Sequence, residues 1–137
     1  MKEFQVAKVI KSNPSLAQME LRFDALKSHK ILLVPSPSLM TYTDENKNDE
    51  EEDKNFFYML DGSEMSDSVR KIAMTKKGSI SLGKPLSDDW STCPHIDLYI
   101  VGSVAVTESG RRLGKGLGYA ELEWGILYEL GTNFFIL

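Results

Sequence analysis

Cysteine is almost missing from this 137-residue chain, with Cys93 standing alone. No intrachain disulfide can form, so a reducing compartment is the expected setting, the cytoplasm or else the nucleus. Histidine is scarce too, limited to His29 and His95. Neither can be placed beside Cys93 as a base, which leaves that thiol a small inert residue. His95 stands just ahead of a strand, where a structural role is expected. No apolar run approaches the roughly 20 residues that span a bilayer, and the opening Met-Lys-Glu-Phe-Gln lacks the apolar core of a secretory signal. No membrane partner is expected, and no internal repeat is visible.

What charge there is sits unevenly. The net charge is -4, yet Asp44 to Asp53 alone holds seven carboxylates and one lysine, leaving the rest of the chain at +2. The acidity therefore belongs to one segment, read as a solvated, disordered loop at about 43–55. An excess of +2 is too small for strong affinity to a nucleic-acid backbone. With 42% apolar residues the chain fits one domain with a sizeable core.

Along the chain, residues 4–10 fit a short strand or a helix end equally well. Asn13-Pro14-Ser15 supplies a turn and a helix start, and apolar positions Leu16, Met19, Phe23 and Leu26 give an amphipathic helix to about Ser28. Lys30 to Val34 is a near-continuous apolar strand. The aromatic patch Phe56-Phe57-Tyr58 reads as core packing. Ser66 to Lys77 reads as a helix capped by Ser66 or Asp67, with Val69, Ile72 and Ala73 inward and Gly78 as its stop. Lys76-Lys77 is then a solvated helix end. Ser79 to Leu82 reads as a short strand, Asp88-Asp89 as a turn, and Ile96 to Thr107 as the longest strand. A helix from Tyr119 to Leu130 comes next, with Trp124 and Tyr128 as core or partly buried residues. Gly131 caps it, and a final strand begins at Asn133. The expected fold class is α/β, an open and mainly parallel sheet of four or five strands with helices on both faces, truncated at its C-terminal edge.

Between the long strand and the last helix lies Gly110-Arg-Arg-Leu-Gly-Lys-Gly-Leu-Gly-Tyr119. Glycines at such a turn let backbone N–H groups approach an anion closely, where the helix dipole favours negative charge. Arg111, Arg112 and Lys115 add cationic donors to the same place. The spacing matches neither the dinucleotide-binding fingerprint nor the P-loop. A phosphate pocket is the preferred reading, a tight structural bend the competing one.

Leu32-Leu-Val-Pro-Ser-Pro37, Asp97 to Val106 and Gly110 to Glu121 together resemble the formyltetrahydrofolate cyclo-ligase superfamily, in its methenyltetrahydrofolate synthetase domain branch. The likeness extends over most of the chain, as a single partial domain incomplete at both ends, and implies a cyclo-ligase-like three-layer fold. It also implies a glycine loop holding the phosphates of MgATP, placed here on Arg112, Gly114, Lys115, Gly116, Gly118 and Tyr119. Cyclo-ligases use ATP to close 5-formyltetrahydrofolate into 5,10-methenyltetrahydrofolate, so folate is the implied second ligand. RNA enters only through a further module, not contained in these residues, that longer members of the branch carry.

Two departures from the cyclo-ligase pattern bear on turnover. Ala120 replaces a second tyrosine, and Glu121 stands where an aspartate belongs. Glu121 is a candidate magnesium ligand, or equally a first-turn carboxylate complementing the helix dipole. The basic N-terminal segment of cyclo-ligases has no match in Met1 to Lys11. A non-catalytic, nucleotide-binding member of an RNA-associated branch is therefore expected ahead of an active cyclo-ligase. A sugar-phosphate isomerase ranks far lower, because the carboxylate and lysine pair it would need is not visible in the sequence.

Overall fold

The computed structural model describes residues 1–36, 55–86, 92–129 and 135–136. Most of the acidic segment, Asp88-Asp89 and Gly131 lie outside the described residues, so the readings of a disordered loop, a turn and a cap there stand as expectations. The elements in chain order are α1 (Lys2–Val6), β1 (Val9–Lys11), α2 (Met19–Lys27), β2 (Ile31–Pro35), β3 (Phe57–Asp61), α3 (Asp67–Ala73), α4 (Lys76–Leu82), β4 (Lys84–Leu86), β5 (Leu98–Tyr99), β6 (Ala105–Val106), β7 (Arg112–Leu113), α5 (Tyr119–Glu129) and β8 (Phe135–Ile136). Among them no helix is long and apolar enough to cross a membrane.

Six strands form one sheet in the order β4-β3-β2-β1-β5-β8. The pairings β1 with β2, β1 with β5 and β5 with β8 are parallel, and β3 adds antiparallel partners on both its sides. The sheet is thus mainly parallel, as expected, with one more strand than the sequence suggested. The strand beginning near Asn133 does join it, beside β5.

Alternation along the central strands sends side chains to two cores. Ile10, Leu32, Val34, Leu60 and Leu98 face one way and pack with Ala25 and Leu26 of α2 and Ala73 of α3. Val9, Leu33, Phe57 and Tyr99 face the other way, with Leu127 of α5. Helices therefore cover both faces, which is what near-continuous apolar strands demand. Asp97 ties β5 to β1 by accepting the backbone N–H groups of Lys8 (2.8 Å) and Val9 (2.9 Å).

Several local readings change. Leu16 is exposed, and α2 buries Arg22, Ala25 and Leu26 instead of the longer apolar stripe. The Arg22 guanidinium is buried because three backbone carbonyls receive it, those of Asn13, Ser15 and Met74. The stretch from Ser66 is two helices. Ser66 caps α3 as expected, but Thr75 then caps α4 by accepting the N–H of Gly78 at 3.0 Å. Gly78 therefore lies inside a helix, and Ser79 to Leu82 are helical rather than extended. Lys76 and Lys77 are solvated, yet they open α4 instead of closing a helix, and Ile72 is exposed. The long strand expected from Ile96 breaks after Tyr99, because Ala105–Val106 pairs back on Arg112–Leu113 as a separate hairpin.

Gly78 makes α3 and α4 pack closely: a Cβ there would lie 1.8 Å from the carbonyl oxygen of Ile72. Gly78→Ala is expected to lower the unfolding free energy by about 1–3 kcal/mol in urea titrations, through overpacking. Gly125→Ala meets open space in α5 and is expected to raise it by up to about 1 kcal/mol.

Candidate functional site

Strand β1 lies between two parallel neighbours whose helices cover opposite faces: α2 leads to β2 on one side, and α5 comes after β5 on the other. In an open α/β sheet this switch point leaves a crevice beyond the carboxyl ends of the strands. Lys11, Ser12 and Asn13 reach that edge from β1. Tyr99, Gly102 and Ser103 reach it from β5, and Arg112, Glu121 and Glu123 close over it from β7 and α5.

Lys11 is fully buried and Glu123 nearly so. The Lys11 Nζ donates to Glu123 Oε2 and to Asn13 Oδ1, the latter at 2.6 Å. Asn13 Nδ2 donates to Glu123 Oε1 at 3.1 Å. The Tyr99 hydroxyl reaches Glu123 Oε2 at 3.2 Å and the carbonyl of Ala120 at 3.1 Å. The ammonium also stands 4.2 Å from the centre of the Tyr99 ring. Burial pulls the Lys11 pKa down to about 8 despite the attraction of Glu123, and the nearby Arg112 pushes the same way. Burial first, and then Glu123, raises the Tyr99 phenol far above its usual value, so it remains a proton donor. The chain after β1 is fixed as well: Gln18 Oε1 accepts from Ser12 Oγ at 2.8 Å and from the Asn13 N–H at 2.9 Å.

Against this base the basic segment divides into fixed and exposed parts. Gly110, with φ +83°, turns the β6–β7 hairpin. The Arg112 side chain folds inward to Glu121 Oε1 (2.5 Å), Ser103 Oγ (3.3 Å) and the Gly102 carbonyl (3.4 Å). Gly114 lies under it, where a Cβ would come within 2.7 Å of Nη2. Gly116 and Gly118, at φ +79° and +72°, hold left-handed conformations that lead into α5 at Tyr119. At the start of α5 the amides of Tyr119 and Ala120 have no acceptor within the helix, whereas that of Glu121 is taken by its own carboxylate. Arg111 and Lys115 are exposed and form no ion pair with any described residue.

Glu121 receives the hydrogen bond of its own backbone amide and that of Arg112, which together hold its carboxyl below the ordinary range. Among the described residues no three His, Cys, Asp or Glu side chains converge as a metal site. Glu121 is thus a single carboxylate already bound to a guanidinium. It suits at most the one protein ligand that magnesium takes beside substrate phosphates.

Beside this pair a cavity of about 260 Å³ is lined by Tyr99, Val101, Arg112, Ala120, Glu121 and Trp124. Trp124 stacks on Tyr128 with ring centres 5.0 Å apart. Against the core or partly buried placement expected, neither is in the core, Trp124 being 39% and Tyr128 61% exposed. The inward face of α5 instead carries Glu123 and Leu127.

The structure thus brings Arg112, Gly114 and Glu121 together at the helix start and leaves Arg111 and Lys115 in solvent. Sequence reasoning missed Lys11, Asn13, Tyr99 and Glu123. A lysine closing an apolar strand and a glutamate on the apolar side of a helix were the available signals. The buried ion pair of Lys11 and Glu123 is contributed by residues 112 positions apart.

Linkage gives this pair a signed prediction. Lys11 binds its proton less tightly folded than unfolded, so between about pH 8 and its ordinary 10.5 the unfolded chain carries more protons. Stability from this group therefore rises with pH across that window. Urea unfolding at pH 7.5 and 9.5 is expected to show that rise in the wild type. The Lys11→Met/Glu123→Leu double variant is expected to lack it, while Lys11→Met alone costs about 3–5 kcal/mol by stranding a buried carboxylate.

The 5-formyltetrahydrofolate cyclo-ligase family model matches residues 1–135. The chain is 37% identical over 134 residues to a methenyltetrahydrofolate synthase domain-containing protein of Mus musculus, covering 96% of this chain and 32% of that protein. The like-named protein of Bos taurus is 36% identical, with 96% and 31% covered, and that of Homo sapiens 34% identical, with 90% and 28% covered. The chain spans about a third of the length of these relatives. On the extent of the match and the mixed sheet with its two helical layers, it belongs to the 5-formyltetrahydrofolate cyclo-ligase family.

Proposed function

We propose that the loop from Arg112 to Tyr119 holds the phosphates of a nucleotide, MgATP being the family's ligand, and that the domain binds rather than turns over. The observation that carries this reading is the left-handed backbone at Gly116 and Gly118, which opens onto the first amides of α5 beside the anchored Arg112 guanidinium. Backbone donors and a helix dipole at one point favour an anion. Arg111 and Lys115, exposed on the same segment, supply further charge from solvent. Phosphates need positioning and neutralisation, which these groups offer.

Two observations support binding without turnover. The Arg112 charge is already shared with Glu121. Ala120 lines a cavity at the position where the cyclo-ligase pattern has a tyrosine. The competing reading is an ATP-dependent cyclo-ligase acting on 5-formyltetrahydrofolate, favoured by a family match that extends over residues 1–135.

Calorimetric titration with MgATP is expected to show saturable binding. Arg112→Ala and Lys115→Ala should each weaken it about 10- to 100-fold, the worth of a charge-assisted hydrogen bond. Glu121→Gln, which frees Arg112, should tighten it. Mixing the protein with 5-formyltetrahydrofolate and MgATP should leave the methenyl absorbance flat. Turnover abolished by Arg112→Ala would instead establish the cyclo-ligase, and indifference to MgATP, pyrophosphate and sulfate alike would overturn both readings.

A further inference from the structure

From the contacts of Lys11, Asn13, Tyr99 and Glu123 we infer that this buried cluster is the positioning device of the glycine loop, setting the height and rotation of the α5 N-terminus above β1 and β5. The functional part of the inference rests on the phosphate reading given above. Glu123 is four residues after Tyr119, one helical turn and about 6 Å from the start of the helix. A carboxylate fixed there by Lys11, Asn13 and Tyr99 pins that turn to two strands at once. The single Tyr99 O–H is shared between that carboxylate and the Ala120 carbonyl at 3.1 Å, so the same hydroxyl also reaches the first turn. From that turn the chain runs back through Gly118 and Gly116 to Arg112. Arg112 is in turn tied to the β5 end at Ser103 and Gly102. The loop is therefore held at both of its ends by groups that start from the edge of the sheet.

An ion pair is a poor choice for holding a helix to a sheet if stability alone is wanted. Two apolar side chains of similar volume would pack in that space without losing hydration, and such replacements are often neutral or stabilising. What the polar cluster adds is direction. Leucine against methionine tolerates sliding and rotation of α5, whereas a carboxylate with three donors has one arrangement that satisfies all of them. No buried side-chain nitrogen or oxygen among the described residues lacks a partner, so the cluster is satisfied as it stands.

The test compares the wild type with the Lys11→Met/Glu123→Leu double variant and with Tyr99→Phe, which removes only a hydroxyl. Three readouts are taken at pH 7.5: the urea unfolding midpoint, pyrophosphate affinity by calorimetry, and hydrogen exchange of amides 118–122. The double variant is expected to keep its unfolding midpoint while losing at least tenfold in affinity and exchanging those amides at least tenfold faster. Tyr99→Phe should move the same two readouts by a smaller factor, and it decides the matter if the double variant does not fold. Wild-type affinity and wild-type local exchange in folded variants would overturn the inference. If the wild type itself binds no pyrophosphate, the phosphate reading fails by that result. The exchange rates then decide alone whether the cluster positions the helix.

Discussion

A lysine ammonium and a glutamate carboxylate share a dry space between the end of β1 and the second turn of α5. Removing two such ions from water costs several kcal/mol each, so their presence needs compensation. Asn13 and the Tyr99 hydroxyl provide it, one from the loop after β1 and one from β5. The lowered pKa of Lys11 records that the compensation is incomplete, since burial still outweighs the attraction of its partner. The consequence of the pair is geometrical. Helix α5 is fastened across the two strands whose carboxyl ends form the crevice, and the glycine loop is fastened with it.

The remaining architecture supports this placement. Parallel pairing of β1 with both β2 and β5 creates the switch point, and the two cores hold helices against opposite faces of it. Arg22 orders the chain after β1 by filling the carbonyls of Asn13 and Ser15, so that Asn13 arrives beside Glu123 with its amide correctly aimed. The β6–β7 hairpin brings Arg112 back over the β5 end, which a single long strand would not have done. Arg112 and Glu121 then neutralise one another at the rim, leaving Arg111 and Lys115 as charges still in solvent.

How far the sequence revealed this depended on the range of the interactions. Apolar runs at Lys30 to Val34 and after His95 marked out the sheet and its mainly parallel character, because burial on both faces leaves a continuous pattern. The glycine loop was legible for a local reason: left-handed backbone needs glycine, and two of its glycines do adopt it. The break between α3 and α4 was not legible, because Gly78 has a packing role against Ile72 that resembles a helix stop in one dimension. The hairpin was hidden by the valines and alanine of residues 104–106, which suit any extended strand. Least visible was the Lys11 and Glu123 pair. Each residue alone looks like an ordinary surface charge, and only the fold brings together positions so distant in sequence.

Whether this edge of the sheet is an anion site is most directly tested by amide chemical-shift mapping of the folded protein during a pyrophosphate titration. Saturable shifts concentrated at Gly116, Gly118, Tyr119, Ala120 and Glu121, with the Arg112 Nε–H signal moving in step, are the expected result. Shifts scattered over Lys76, Lys77 and other solvated lysines, or none at all at the start of α5, would contradict the account.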